Sequence, residues 1–528
     1  MSTDPHQVAL ERSRRFVLPE LLARNARRHP DRLALVFEGE TRTFAELDER
    51  ANRLADALAA RGVKQGDNVA LLLYNRLEVV EAFFGCQKLG ACPVPMNFRL
   101  AQDELDYILQ DAEAVGLIAD EQLAERAVAA RAALPALRFH LAVGPVPDGA
   151  EPYEQALADA SPVEPAVLVQ EQDRAFLMYT SGTTGRPKGA MLSHLNLVAN
   201  TLNWVQEMQV EQTDVWLSGL PLFHIGGVNG VLPFVYVGGT TVITPSTGFD
   251  ALESLRKLQE HQVTVCYFVP TQWAEICALP EVASVDTTRL RKALWGASTA
   301  PLSTLEALSR TFPSVEVVNA FGQTEMSSNT CFLKGADAVR KMGSVGKPVV
   351  NVEVRVVDDA GADVAPGEVG EIVYRGPTVM QGYFRNEAAT AEAFAGGWFH
   401  SGDLVRVDEE GFIYVVDRKK DMIISGGENV YPAEVERALA EHPAVAEVAV
   451  VGVPHPKWVE TPLAVVVLRD GAEASEAELV EHCRERLAGY KKPAGVELVA
   501  ELPRNAAGKV LRRRLRDRYG DRFTTSVA

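Results

Sequence analysis

Cysteine is scarce, with six residues in a chain of 528. Cys86, Cys92, Cys266, Cys277, Cys331 and Cys483 lie far apart and form no C-x-x-C pair. That spacing excludes a disulfide frame and a compact zinc site, and it fits reduced thiols. No apolar run reaches the length of a transmembrane helix, so no integral membrane segment is expected. Residues 1–6 lack a basic stretch followed by an apolar one, so no secretory leader is expected. The final Ser526-Val527-Ala528 is not the peroxisomal tripeptide. By elimination, a cytoplasmic location is expected. Positive charge is in deficit: 53 Lys and Arg face 71 Asp and Glu, a net charge of −18. Such a chain is not expected to bind nucleic acid. The Walker pattern G-x-x-x-x-G-K-[ST] is absent as well.

What the chain has is length. At 528 residues it exceeds one hydrophobic core, so two or more domains are expected. Residues 16–60 read as helices around a short strand at 33–37. Thr43 and Glu46 have capping-box spacing ahead of Leu47, Ala51, Leu54 and Leu58, which recur at helical intervals. A strand over 68–73, a helix through Phe83, Phe84 and Leu89, and a further strand predict a parallel α/β sheet. Residues 121–165 carry little beyond a helix over 121–133. Ser193 and Asn196 open a helix through Trp204. Residues 263–269 are β-branched and aromatic, as a strand should be. Another strand ends in Gly296-Ala297-Ser298, where small residues leave room for a ligand beyond its carboxyl end. The stretch 343–416 is strand-rich and predicts a small β subdomain. Two apolar strands are expected within 445–468.

The most informative stretch is Tyr179-Thr180-Ser181-Gly182-Thr183-Thr184-Gly185-Arg186-Pro187-Lys188-Gly189. It follows the apolar run Ala175–Met178, which reads as a buried strand. Glycine allows close backbone approach, successive N–H groups make an anion nest, and the hydroxyls and Lys188 add donors. Taken alone, a Gly-rich turn is a surface turn. This order of residues is chemistry for a polyphosphate.

Other stretches follow in order. They are Pro221-Leu-Phe-His224-Ile-Gly-Gly227, Phe321-Gly322-Gln323-Thr324-Glu325, Trp398-Phe-His-Ser-Gly-Asp403, and Asp417-Arg418-Lys419-Lys420-Asp421. Then come Gly426-Gly427-Glu428-Asn429-Val430-Tyr431-Pro432 and Pro503-Arg-Asn-Ala-Ala-Gly508-Lys509. Together with the phosphate loop they resemble the adenylate-forming superfamily of acyl-CoA synthetases, peptide-synthetase adenylation domains and firefly-type luciferases. The likeness covers about residues 18–515 and is nearest to fatty-acid and aryl-acid CoA ligases. Two positions depart from the pattern: Phe321 stands at the usual tyrosine, and Val459 at the usual glycine of W-G-E.

The resemblance implies an α/β fold. A large N-terminal domain, 1–417, would carry parallel and mixed sheets with helices and a small β subdomain. A hinge at 418–421 would join it to a small mobile α+β C-terminal domain, 422–528. It also implies ATP, Mg²⁺ and coenzyme A. Thr180, Ser181, Gly182, Thr183, Thr184, Gly185 and Lys188 would hold phosphates. Gly296, Ala297, Ser298, Asn319, Ala320, Phe321, Gly322 and Thr324 would surround the nucleotide, with Asp403 on the ribose and Arg418 reaching ATP. Glu325, with Thr180, would hold Mg²⁺. His224, Val228, Asn229, Ser327 and Ser328 would line or flank the acyl pocket. Lys509 would serve adenylation, Lys420 would be the hinge, and Gly426, Gly427 and Glu428 would line the CoA tunnel.

The implied reaction joins a carboxylic acid to CoA through an acyl-adenylate, releasing pyrophosphate and then AMP. The wall residues lean toward a medium or long fatty acid, with an aryl or cinnamate-type acid as the alternative. Two other readings stay open: transfer to the phosphopantetheine of an acyl carrier protein, and a nucleotide-binding regulatory protein without turnover. The basic run Arg512, Arg513, Arg514, Arg516 and Arg518 reads as a solvated helix face, with contact to CoA phosphates or an acidic carrier as the alternative. A monomer or homodimer is expected.

Overall fold

The computed structural model describes residues 5–180, 186–246, 248–296, 300–425, 428–504 and 508–523. It divides into two compact units, Met1–Val354 with Tyr374–Phe399, and Arg355–Val373 with His400–Ala528. Among the described residues, no helix is long and apolar enough to cross a membrane. The cysteines are free thiols, five of them buried.

The first unit is built on sheets whose centres are apolar and whose crossovers are helical. Asn68–Leu72 is buried throughout and lies between Cys92–Pro95 and Ala114–Asp120 in a five-stranded parallel sheet. Burial on both faces is why this strand is a continuous apolar run instead of an alternating one. The helix Phe44–Ala60 starts where expected. Thr43 Oγ1 accepts from Glu46 N at 3.2 Å, and Glu46 Oε2 accepts from Thr43 N at 2.7 Å. Leu47, Ala51, Leu54 and Leu58 are its buried face.

A nine-stranded sheet runs through the rest of the unit. Leu33–Phe37, Thr240–Ile243, Val215–Ser218, Val265–Tyr267, Lys292–Gly296 and Glu316–Gln323 are parallel neighbours. Antiparallel strands flank them: Glu40–Thr43 at one edge, Ser328–Leu333 and Lys347–Pro348 at the other. The strand expected over 263–269 is shorter. Val269 N instead donates to Gln272 Oε1 at 3.1 Å and caps the helix Pro270–Ala278. Proline at the first helical position is pre-set for that start. A third, antiparallel sheet pairs Arg174–Thr180 with Lys188–Ser193 and then Gly382–Tyr383.

The second unit contains most of a four-stranded sheet, in the order Glu353–Val357, Val369–Arg375, Phe399–Val407, Ile413–Arg418. It also holds the sheet of Glu428–Val430, Ile423–Ser425, Val459–Leu468 and Val445–His455, with Gly495–Leu498 parallel to Val459–Leu468. Alternation along these strands separates two cores. Val450, Ala464 and Val466 pack with Val435, Leu439, Leu479 and Cys483 of the helices Pro432–Ala440 and Glu476–Arg484. Ala449, Val451, Val453, Leu463 and Val465 pack with Leu502 and Leu515. Leu515 is the buried residue of the helix Arg512–Tyr519, so this sheet is covered on both faces.

Candidate active site

In the first unit, the phosphate loop leaves the sheet at a fixed base. Thr180 stands opposite Lys188 in the antiparallel register, and Ser181 to Gly185 lie outside the described residues. Both shoulders of the loop are tied. Tyr179 donates its hydroxyl to Asp111 Oδ2 at 2.6 Å, and Tyr107 donates to Pro187 O at 3.3 Å. Burial and the Asp111 carboxylate push the Tyr179 phenol well above its ordinary range, so it stays a neutral donor. The Arg186 guanidinium lies 5.0 Å from the Tyr107 ring centroid.

Glu325 faces this base. It sits on the single turn Thr324–Met326 that follows the strand Glu316–Gln323. Its Oε1 accepts from Tyr383 OH at 3.0 Å and is 3.5 Å from Thr180 Oγ1. Lys188 Nζ lies 5.1 Å from the Tyr383 ring centroid. Two hydroxyls from two segments, those of Thr180 and Tyr383, therefore converge on the Glu325 carboxylate, and Lys188 lies against the Tyr383 ring. Tyr383 was not visible in the sequence. It lies 58 residues beyond Glu325 and arrives only because Gly382–Tyr383 pairs with Lys188–Ser193.

The turn bearing Glu325 is held from below. Asn200, on the helix His194–Met208, donates to Met326 O at 3.2 Å and Asn329 O at 2.9 Å. Trp204 Nε1 donates to Asn329 Oδ1 at 2.8 Å, and Met380 N donates to Glu325 O at 2.8 Å. These bonds sustain positive φ at Ser327 and Ser328, 58° and 101°. Such conformations cost about 1–3 kcal/mol each and persist only where the surroundings impose them. Gly322 is required by the same reversal, because a Cβ there would stand 1.7 Å from Ser328 O. Gly296 is equally constrained, with a Cβ 2.2 Å from Ala320 O. Asn319 and Ala320 are buried on their strand, while Phe321 and Thr324 are half-buried.

His224 occupies the N-cap position of the helix Ile225–Val237, half-buried, its ring 4.4 Å from that of Phe223. Val228 and Asn229 follow on this helix and are fully buried, and Asn229 Nδ2 donates to Asn200 Oδ1 at 2.9 Å. Ser327 Oγ donates to Thr378 O at 2.8 Å. Ala297 and Ser298 lie outside the described residues.

Metal ligation by the side chains alone is limited. Among the described residues no three His, Cys, Asp or Glu cluster as a metal site. Glu325 and Thr180 offer one carboxylate and one hydroxyl. That donor set suits Mg²⁺, which takes few protein ligands and completes its shell from phosphate oxygens and water.

The second unit carries the other expected residues. Asp403 is buried directly opposite Arg418, with Arg418 Nε 2.7 Å from its Oδ1. Arg418 Nη1 also donates to Ser401 O at 3.2 Å. The charged run 417–421 is less solvated than a loop of that composition suggests, since Asp417 and Asp421 are both buried. Burial raises the Asp417 carboxyl above its ordinary range. Lys420 is depressed by desolvation first, and also by Arg418, Arg516 and Lys509, against the opposing pull of Asp421. Lys509 is exposed, one residue before the bridge between Arg504 and Val510 that closes the base of its loop. Gly426 and Gly427 lie outside the described residues, and Glu428 is exposed and paired with Ser425.

Val459 also pairs with Ser425, at the tip where the long hairpin turns. Its φ is +68° and it is 84% exposed. A β-branched residue is costly there, which explains why glycine is the expected occupant.

Residues 22–384 match the family described as AMP-binding enzyme, and residues 434–509 match the AMP-binding enzyme C-terminal domain. Feruloyl-CoA synthase of Amycolatopsis sp is 43% identical over 94% of this chain and 98% of that protein. A long-chain-fatty-acid–CoA ligase of Mycobacterium tuberculosis is 38% identical over 90% of this chain and 93% of its own length. Among solved structures, o-succinylbenzoate CoA synthetase of Bacillus subtilis in complex with its acyl-adenylate intermediate is similar at a TM-score of 0.84. It is 36% identical and covers 94% of this chain and 98% of that one. The same synthetase has been solved with ATP and magnesium ion.

Proposed function

This chain belongs to the AMP-binding enzyme family, and on that premise we propose that it joins an aryl or cinnamate-type carboxylic acid to coenzyme A through an acyl-adenylate. The observation that carries the chemistry is the Glu325 carboxylate held by Thr180 and Tyr383 beside Lys188, at the base of the phosphate loop. The acid class rests on likeness to feruloyl-CoA synthase over 94% of the chain. It moves the reading from the fatty acid favoured by the wall residues to the aryl alternative.

In the first half-reaction, a carboxylate oxygen attacks the α-phosphorus of ATP, and the bond to the bridging oxygen breaks to release pyrophosphate. The attacking acid is already ionised at neutral pH, so no general base is required. The difficulty is to bring an anion to a polyanion. Lys188, the loop hydroxyls and Lys509 supply donors and positive charge where it develops. Glu325 and Thr180 would hold Mg²⁺, which neutralises polyphosphate charge when bound. Asp403 accepts from the ribose hydroxyls and Arg418 serves the nucleotide, their ion pair fixing each other's rotamer. In the second half-reaction, the CoA thiol loses its proton and attacks the acyl carbon, and AMP leaves. The turn at Gly426 and Gly427 serves this half, and Lys420 is the pivot between the two.

The experiment is pyrophosphate release over a panel of hydroxycinnamic, benzoic and C8–C16 fatty acids, with AMP and thioester measured as products. Highest kcat/KM on an aryl acid is expected. A fatty-acid relative supports the second reading, and a preference for C8–C16 acids would install it. Thioester formed only on a carrier protein would replace CoA as acceptor. ADP as product would overturn the whole assignment.

A further inference from the structure

We infer that Asp421 is a positioning residue. Its carboxylate ties the turn between the strands Ile413–Arg418 and Ile423–Ser425 to the helix behind Lys509, so that the adenylation lysine is held at a fixed place relative to the pivot. The inference rests on the proposed role of Lys509. Its geometry lies wholly within the second unit.

Asp421 immediately follows Lys420 and is only 8% exposed. Two arginines of the helix Arg512–Tyr519 reach it. Arg516 Nη2 makes a short contact with Oδ1, and Arg512 Nη1 lies 3.8 Å from Oδ2. Arg512 turns its other nitrogen to Glu436 Oε1 at 2.7 Å, on the helix Pro432–Ala440. The backbone before this helix is equally restrained. Leu511 N donates to Pro503 O at 2.7 Å, Arg504 bridges Val510, and Arg504 Nη1 donates to Gly508 O at 2.7 Å. Lys509 therefore sits beside the bridged pair Arg504 and Val510, and three residues later Arg512 approaches Asp421. The sequence separation of Asp421 and Arg516 is 95 residues, yet a short run of ion pairs and backbone bonds connects pivot and lysine.

The chemistry explains why a carboxylate is placed there. Arg418, Arg516 and Lys509 all act on Lys420 as like charges, and Asp421 is the anion that opposes them. Removing a buried partner leaves uncompensated charges that repel. With the clamp gone, the fold of the unit would survive on its two apolar cores, while the lysine loop would lose its fixed offset from the pivot. Displacement of a catalytic group by about 1 Å costs up to about 100-fold in rate.

The test measures the two half-reactions separately in the full-length enzyme. Asp421→Asn should slow ATP–pyrophosphate exchange by about 10- to 100-fold. Thioester formation from supplied acyl-adenylate should stay within about threefold of the parent, because that half does not use Lys509. Asp421→Glu should restore most of the exchange. Arg516→Met, at a half-exposed position, should reproduce the Asn effect even if the Asp421 variant folds poorly. The Asp421→Asn and Arg516→Met effects should be non-additive in the double variant. Equal loss of both halves, or unchanged exchange in the folded variants, would overturn the inference. Lys509→Ala is run beside them: if it retains exchange, the role given to Lys509 fails, whatever Asp421 does.

Discussion

Glu325 of the first unit and Asp403, Asp421 and Glu371 of the second are held in opposite ways. Glu325 accepts from a tyrosine and a threonine hydroxyl, and among the described residues it has no ion-pair partner. Asp403 and Asp421 are each gripped by arginine, and Glu371 is shared by Lys419, His400 and the Gly402 N–H. A carboxylate fixed by neutral donors keeps its charge for an incoming cation. A carboxylate paired with arginine has spent its charge on geometry. The first arrangement suits the metal–polyphosphate role proposed for Glu325, and the second fixes local backbone geometry.

The largest expected effect tests that division at its catalytic end. Lys509→Ala should lower adenylate formation by about 1,000-fold while thioester formation from supplied adenylate survives. Comparable loss in both halves would dissolve the distinction. Next is Glu325→Gln, which keeps the hydrogen bond from Tyr383 and removes only charge. Pyrophosphate exchange should fall by about 100-fold and its magnesium optimum should rise, whereas Tyr383→Phe should cost only about fivefold. If the phenylalanine variant is the worse of the two, Glu325 depends on support more than on charge.

Acid should separate the units by pH window. Burial pushes His140, with Arg131 assisting, down to about 4, and burial takes His194 down to about 3. Both are neutral in the folded first unit and titrate near 6.5 when unfolded. Their contribution is complete above about 6.5 and is lost as pH falls from there through about 4 for His140 and about 3 for His194. It amounts to about 1–2 kcal/mol per histidine between pH 6.5 and 5. Glu371 behaves differently. Burial would raise it, but His400, Gly402 N–H and Lys419 outweigh burial and hold it below its usual 4.5. Its stabilisation is lost only at lower pH. Urea unfolding at pH 7 and pH 5 should show a falling midpoint that His140→Leu reduces and Glu371→Gln leaves unchanged. The smallest effect is expected at the hairpin tip. Val459→Gly relieves the left-handed strain but loosens the unfolded chain, for a net gain of about 0.5–1 kcal/mol in thermal unfolding.

Local structure was legible where the cause was local. The capping box at Thr43 formed as spaced, and Ser193 and Asn196 open their helix with the same reciprocal bonds, because the donors and acceptors lie within one turn. The apolar run Ala175–Met178 became the buried centre of the longer strand Arg174–Thr180. The strand over 263–269 was overdrawn because hydrophobicity does not reveal that Pro270 starts a helix. Long-range partners were invisible. Nothing in the sequence links Tyr383 to Glu325, Asn200 to Met326, or Arg516 to Asp421, since each pair is brought together by sheet pairing or helix docking. The arginine run read as a solvated face is divided: Arg513, Arg514 and Arg518 are exposed, while Arg512 and Arg516 are internal ties.

The Asn200 amide has a consequence for anyone wishing to retarget this enzyme. One side chain binds Met326 and Asn329 beside the Glu325 turn and Asn229 on the helix that begins beside His224. If the proposed roles hold, acid selection and nucleotide activation share a keystone. Substitutions at Asn229 would then disturb the support under Glu325, and variants selected for a new acid would need compensating changes around Asn200.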